Sequence, residues 1–201
     1  MPKLRRGYGL AINEAELRQE SKVPIIFEHR GKNADLLRQF VCDPTDDLLF
    51  VSISLDKILD RVRPWFEQGL VRARHVRVLI WQPAAEDAVE ALALHLGQIT
   101  CDFQANIKKA WTNWTALAQQ HSFLKVRGYA SVPTMNAILT AKLIQVELLP
   151  FNYPEGRELG THAKRLALSL NPRDTPASFQ IFTNAFNDLW QNAERPRKGR
   201  T

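Results

Sequence analysis

Residues 48–81 decide the fold, because they contain a strand, a helix and a second strand in succession: LLFVSISL (Leu48–Leu55), DKILDRVRPWFEQG (Asp56–Gly69) and HVRVLIW (His75–Trp81). The first strand is apolar at both odd and even positions, which is typical of a strand covered on both faces. Two strands joined by one helix lie parallel, with a right-handed crossover. This stretch therefore predicts an α/β domain with parallel neighbours at its centre.

Apolar periodicity predicts further elements on both sides of this unit. Upstream, we expect an edge strand or a strap at Val23–Phe27 and a helix from Asn33 to about Cys42. Downstream, the predicted elements are helices from Gln82 and from Asp102 to Gln120, a strand from Phe123, a strand pair within residues 134–149, a strand at Arg165–Leu170 and a helix from Ala177 to about Ala193.

The predicted fold class is α/β, with a single domain and a mixed, mostly parallel sheet flanked by helices on both faces. A chain of 201 residues is long enough for one sizeable core and short for two. We expect an arm and strap at residues 1–30, the α/β domain at residues 31–195 and a basic tail at residues 196–201.

The composition is that of a soluble globular protein, with 45% apolar and 24% charged residues. No run approaches the roughly eighteen apolar residues of a membrane span, and the first residues lack the apolar region of a signal peptide. We therefore expect a cytoplasmic protein. Cys42 and Cys101 are too few and too far apart for a disulfide framework or a metal site, and we expect buried thiols in helices. No metal and no cofactor is predicted.

The formal charge of +6 belongs to the two ends of the chain. Without the basic residues in segments 1–6 and 195–201, 20 basic residues face 21 acidic ones. Such tails hold a polyanion or an acidic partner, but they are more often solvated. The candidate residues for nucleic-acid contact are Lys3, Arg5, Arg6, Arg195, Arg197, Lys198 and Arg200.

The helix predicted from Asp102 carries Trp111 and Trp114. Two tryptophans on one helix offer a platform on which bases can stack. Their spacing, however, coincides with that of the other apolar residues of the helix, so core packing is the favoured interpretation.

The order of these elements resembles the phospholipase D-like domains of bacteria, which often lie beside helix-turn-helix domains. The resemblance spans roughly residues 31–195. The matching segments are Arg77–Pro83, Val126–Tyr129 followed by Pro133, Tyr153–Gly156 and Phe186–Ala193.

The catalytic motif of that family is His-x-Lys-x4-Asp, and two copies meet within a duplicated chain or across a dimer. The imidazole acts at the phosphorus centre and its leaving oxygen, and the lysine stabilises the developing charge. The resemblance places the motif on the first strand of the pair after Pro133, where the residues are TMNAILTAK. The motif is missing there, so the resemblance predicts a domain without this chemistry. His162 and Lys164 form a lone His-x-Lys pair with Ser169 in place of the acid.

The favoured function is therefore a non-catalytic module that binds a phosphate-bearing ligand or a partner protein, in a bacterial regulatory or defence system by analogy. Ligands of open α/β sheets collect at the carboxyl ends of the strands. The candidate ligand-binding residues at that end are Ser52, Ser54, Trp81, Gln82, Arg127, Tyr129 and Asn136. An equally open interpretation is that Ser52 and Ser54 only fill a strand and Arg127 pairs with a neighbouring acid.

Two other functions stay open. One is an atypical phosphodiesterase or nuclease in which each subunit of a homodimer contributes His162 and Lys164. The other is a nucleic-acid accessory protein that binds through its basic tails, helped by Lys108 and Lys109.

Overall fold

The structure is a computed structural model that describes residues 25–28, 33–42, 47–53, 55–83, 86–96, 98–148 and 165–194. Within these ranges the chain forms seven strands and five helices: β1 (Ile25–Glu28), α1 (Asn33–Cys42), β2 (Asp47–Ser52), α2 (Asp56–Glu67), β3 (His75–Trp81), α3 (Glu86–His95), α4 (Thr100–Gln120), β4 (Leu124–Tyr129), β5 (Met135–Thr140), β6 (Ile144–Leu148), β7 (Arg165–Leu170) and α5 (Pro176–Asn192).

The strands form one sheet in the order β1-β7-β6-β5-β2-β3-β4. β2 and β3 are parallel neighbours, with Leu48 opposite Val76, as residues 48–81 predict. The strand predicted at Val23–Phe27 is an edge strand, since β1 pairs with β7. β1 precedes residue 31, so the sheet extends beyond the predicted start of the domain.

The α/β class and the mixed sheet are confirmed, but the parallel share is smaller than expected. Among the described strands, only β2–β3 and β3–β4 pair in parallel, and the other four pairings are antiparallel. Between β5 and β6 the chain turns back within three residues, Ala141–Leu143. So short a connection allows only an antiparallel pair, because a parallel pair needs a crossover of a dozen or more residues.

Helices cover both faces of the sheet, as predicted. Leu49, Val51 and Leu79 point to a core formed with α3, α5 and the first half of α4. Leu48, Phe50 and Val78 point to a second core formed with α1, α2 and the second half of α4. Residues next to each other in a strand thus enter different cores, which explains why the strands at the centre lack a polar face.

The tryptophans of α4 belong to the second core. Trp114 is 0% exposed and its ring centroid lies 6.0 Å from that of Phe50, while the half-buried Trp111 packs against the same core. The core-packing interpretation is therefore confirmed. The expectation of two buried thiols is wrong for Cys101, which is exposed, whereas Cys42 is half-buried. Cys101 lies in the first turn of α4, and the inward position there belongs to Phe103.

The ends of α2 and β4 show how the chain turns at the sheet margins. Gly69 adopts a left-handed conformation with φ of 66° just after α2, as predicted for a glycine that ends a helix. β4 is an edge strand, and Glu194 pairs with Gly128 through two backbone hydrogen bonds of 2.8 Å.

None of the helices in the described ranges has the length and apolarity that a membrane crossing requires.

Candidate functional site

The three parallel strands give the sheet two distinct margins. We call the margin where they begin the amino edge (Asp47, His75 and Leu124) and the margin where they end the carboxyl edge (Ser52, Trp81 and Tyr129). The sequence predicts ligand binding at the carboxyl edge.

A chain of hydrogen bonds lies at the carboxyl edge. The Ser52 hydroxyl donates to Asn136 Oδ1 at 2.6 Å, and Asn136 Nδ2 donates to Glu147 Oε2 at 3.3 Å. β5 lies between β2 and β6, so Asn136 can reach both neighbours. The structure thus brings Ser52 and Asn136 together, and it adds Glu147, which the sequence pattern does not single out.

Tyr129 joins this chain from the opposite side of the sheet. Its hydroxyl donates to the Ser52 carbonyl oxygen at 3.2 Å. Burial raises the pKa of the Tyr129 phenol far above its usual value, because the phenolate would lose its hydration. The phenol therefore stays neutral and acts as a hydrogen-bond donor at any physiological pH.

Trp81 and Gln82 are packed rather than open at the same edge. Trp81 is 0% exposed and its Nε1 donates to the Ala130 carbonyl oxygen at 3.4 Å. Gln82 lies over Gly128 so closely that a Cβ on that glycine would be 2.6 Å from Gln82 Cγ. Gln82 Nε2 is buried, and no residue in the described part of the chain forms a hydrogen bond with it.

The chemistry of the carboxyl-edge chain does not suit a phosphate. Its side chains are a hydroxyl, an amide, a phenol and the carboxylate of Glu147, so its one charged member repels an anion. Ser52 is only 8% exposed, and its hydroxyl and the Asn136 amide already make hydrogen bonds within the chain.

Arg127 does not join this chain but lines a cavity near the amino edge. The cavity has a volume of about 210 Å³ and is lined by Asp47, His75, Val76, Arg77, Lys125, Arg127 and Trp190. We call it the basic cavity. It holds two arginines, one lysine and one histidine against a single carboxylate.

Trp190 of α5 organises the two arginines. The guanidinium carbon of Arg127 lies 4.4 Å from the Trp190 ring centroid, and that of Arg77 lies 5.7 Å from it. Arg127 Nη1 also donates to the Trp190 carbonyl oxygen at 2.6 Å. A guanidinium on an aromatic face is held in orientation by the ring while its edge keeps hydrogen-bond donors.

Arg77 is anchored on both sides. Its Nη1 donates to Asn187 Oδ1 at 3.0 Å, and its Nη2 lies 3.5 Å from Asp47 Oδ2. Its Nε is buried and has no hydrogen-bond partner among the described residues. The fixed fork of such an arginine suits a planar or tetrahedral anion.

A sequence pattern marks the cavity, but the rule that ligands bind at the carboxyl ends of strands does not point to it. Two strands carry alternating basic residues at or near their start, His75-Val76-Arg77 in β3 and Lys125-Val126-Arg127 in β4. Residues two apart on a strand share a face, and Arg77 lies opposite Lys125 in the register of β3 and β4. Two such triplets on adjacent parallel strands place their charges on one face.

Several predicted residues lie outside the described ranges: Ser54, His162, Lys164, Lys3, Arg5, Arg6, Arg195, Arg197, Lys198 and Arg200. β5, where the resemblance places the catalytic motif, carries Asn136 and Ile138 and no histidine. In the described part of the chain, no three His, Cys, Asp or Glu side chains converge in a way that would hold a metal ion.

No protein-family model and no curated protein matches the chain. Similar solved structures include TrmBL2, an archaeal chromatin protein with a novel mode of DNA binding, at 9% identity and a TM-score of 0.48 over 90% of this chain and 58% of that one. Nuc from Salmonella typhimurium, a phospholipase D family member, matches at 13% identity and a TM-score of 0.46 over 88% of this chain and 99% of Nuc.

The phosphatidylserine synthase of Haemophilus influenzae matches at 10% identity and a TM-score of 0.48, over 81% of this chain and 35% of the synthase. The chain thus spans little more than half of TrmBL2 and about a third of the synthase. All three identities and TM-scores are low, so membership of the phospholipase D family stays a prediction from the sequence motifs.

Proposed function

We propose that the protein is a non-catalytic module that binds a phosphate-bearing ligand in the basic cavity. The observation that carries the proposal is the pair of guanidiniums of Arg77 and Arg127 on the Trp190 ring, with Lys125 beside them. Phosphate oxygens accept several hydrogen bonds at once, and arginines in fixed orientation bind them without a large loss of side-chain entropy.

Charge supports an anion rather than a neutral ligand. Arg77, Lys125 and Arg127 outnumber Asp47 in the cavity lining, and Lys125 is exposed to solvent. The Arg77–Asp47 contact of 3.5 Å is long, and Asp47 is 47% exposed, so this pair is screened and contributes little. An incoming phosphate therefore meets a positive potential.

The size of the cavity supports a small anionic group. Sites for drug-sized molecules measure about 300–1,000 Å³. The basic cavity, at about 210 Å³, is smaller and suits a phosphate or pyrophosphate group.

The sequence lacks the His-x-Lys-x4-Asp motif, and this supports the non-catalytic half of the proposal. Release of nitrophenol from bis(p-nitrophenyl) phosphate by the purified protein tests this half. We expect no release above the buffer rate. Release that the change His162→Ala abolishes would contradict the proposal and favour the dimeric phosphodiesterase.

Isothermal titration calorimetry with pyrophosphate tests the binding half. We expect the wild-type protein to bind, and Lys125→Ala to weaken binding roughly tenfold or more, since a hydrogen bond to a charged group contributes about 1.5–3 kcal/mol. Lys108→Ala removes an exposed lysine from α4, away from the cavity, and serves as the matched control. Equal affinities of both variants, or no binding by the wild-type protein, would overturn the proposal.

A further inference from the structure

Basic residues extend well beyond the cavity along the amino edge. The strand ends and connections at this margin are Asp47 and residues 67–77, 121–127, 141–143 and 171–174. They contain seven lysines or arginines: Arg72, Arg74, Arg77, Lys125, Arg127, Lys142 and Arg173. They contain three acids, Asp47, Glu67 and Asp174. Asp43 and Asp46 belong to the connection before β2 and lie outside the described residues.

Four of these cations are available to a partner. Arg72, Lys125, Lys142 and Arg173 are exposed, and their side chains make no ion pair or hydrogen bond in the described ranges. Asp174, in contrast, accepts a hydrogen bond of 2.6 Å from Asn171 Nδ2. The acids of this edge therefore offset only part of its charge.

Helix dipoles oppose this charge but do not cancel it. α1, α2 and α4 end at the amino edge, and each helix carboxyl end carries about half a negative charge. Together they offset roughly one and a half charges, whereas the described side chains of the edge have a formal excess of four. The described part of the amino edge therefore stays positive.

The dimensions of the edge suit a polymer. Arg173 follows β7 and Lys125 lies in β4, and five strand spacings separate these two strands in the sheet. At about 4.8 Å per spacing the basic row is roughly 24 Å long, which corresponds to about seven base-pair steps of 3.4 Å. The cavity has room for a phosphate or pyrophosphate group, and any longer ligand must continue over the flanking cations.

We infer that the amino edge binds the phosphate backbone of a nucleic acid, with one phosphate in the basic cavity and its neighbours over Arg72, Lys142 and Arg173. This inference rests on the proposed function, because it assigns the phosphate-bearing ligand to a class. Contacts of this kind fix the position of the nucleic acid without reading its sequence. The binding is therefore expected to be independent of sequence and strongly dependent on salt.

Fluorescence anisotropy with a labelled 20-base-pair DNA duplex of mixed sequence, from 50 to 300 mM NaCl, tests the inference on the full chain. The variant Lys142→Gln/Arg173→Gln removes two cations that lie outside the cavity. Arg38→Gln/Arg61→Gln removes the same charge from exposed positions of α1 and α2, away from the amino edge, and is the control. We expect only the first variant to lower the magnitude of the salt slope, by about two, and to weaken binding at 100 mM salt about tenfold or more.

The outcomes separate this inference from the proposed function. If pyrophosphate binds the cavity but the duplex does not bind, or binds equally to both double variants, the nucleic-acid inference is overturned and the proposed function stands. A duplex affinity that depends only on residues 1–6 and 195–201, removed together, also overturns it, since the tails would then be the contact. Failure of pyrophosphate to bind overturns the proposed function itself.

Discussion

The guanidinium of Arg127 stacks on Trp190, 4.4 Å from the ring centroid, and donates a 2.6 Å hydrogen bond to the carbonyl oxygen of the same residue. This double contact ties the edge strand β4 to the end of α5. It also fixes the orientation of the Arg127 guanidinium at the wall of the basic cavity. The proposed binding of a phosphate group depends on this arrangement.

Replacing Trp190 with leucine removes the surface on which both arginines rest. Each cation–π contact contributes about 0.5–2 kcal/mol, so we expect pyrophosphate affinity to fall about fivefold or more as the guanidiniums lose their fixed orientation. Calorimetry measures the affinity, and circular dichroism checks the fold. Trp65→Leu, on the half-buried side of α2, is the control and should leave the affinity unchanged. Similar affinities for the two variants would show that Trp190 does not organise the site.

The change Asn136→Leu tests whether the carboxyl-edge chain is structural. It leaves the largely buried Ser52 hydroxyl without its acceptor and removes a donor from Glu147. We expect the free energy of unfolding in urea to fall by about 1–3 kcal/mol, with unchanged pyrophosphate affinity. Asn106→Leu, on the exposed side of α4, should change stability by less than about 0.5 kcal/mol. A loss of pyrophosphate binding in Asn136→Leu would instead indicate that the ligand binds at the carboxyl edge.

We expect Tyr129→Phe to change how the free energy of unfolding depends on pH in the alkaline range. Burial raises the pKa of Tyr129 in the folded state, so above about pH 10 the unfolded chain releases a phenolic proton that the folded chain keeps. This contribution to stability is complete below pH 10 and declines by about 1.4 kcal/mol per pH unit above it. We expect the wild-type protein to lose stability between pH 10 and 11 more steeply than the variant. Parallel curves from urea denaturation would contradict the burial of this phenol.

At neutral pH the same variant lacks the hydrogen bond to the Ser52 carbonyl oxygen. We expect a cost of about 1 kcal/mol there. The two curves should therefore approach each other as pH rises.

Gly128→Ala tests the close packing beneath Gln82. The added Cβ would lie 2.6 Å from Gln82 Cγ, and we expect a loss of about 1–3 kcal/mol through overpacking. In a Gln82→Ala background the loss should shrink. Gly69→Ala is the matched control, because its Cβ would meet no atom of the described residues within 4 Å and its cost comes from a φ of 66°. That cost should be the same in both backgrounds. If Gln82→Ala does not reduce the loss of stability caused by Gly128→Ala, a clash with Gln82 is excluded.

The fold was predictable where one short segment contains the whole signal. Residues 48–81 carry their own strand, helix and return strand, so their parallel pairing follows from local order and handedness. The antiparallel share was not predictable in the same way, because the pairing of β2 with β5 joins residues about ninety positions apart. Only the three-residue turn between β5 and β6 offered a local signal for it.

The site was predictable only in part, because the strand-end rule points to the carboxyl edge. That rule depends on helix amino ends and on polar groups left open there. Here the side chains of Asn136 and Tyr129 already form hydrogen bonds with Ser52. Arg127 was singled out from the sequence, but its partner Trp190 lies 63 residues away, and no pattern within β4 indicates that contact.

The most direct test of the account is a titration of 15N-labelled protein with pyrophosphate, followed through the indole N–H signals in two-dimensional NMR spectra. Trp190 lines the basic cavity, whereas Trp81 and Trp114 are fully buried in the two cores. We predict that the Trp190 indole signal shifts with a saturable dependence on pyrophosphate and that the Trp81 and Trp114 signals do not move. An unmoved Trp190 indole signal, together with shifts of the backbone amide signals of Ser52 and Asn136 in the same spectra, would contradict the account.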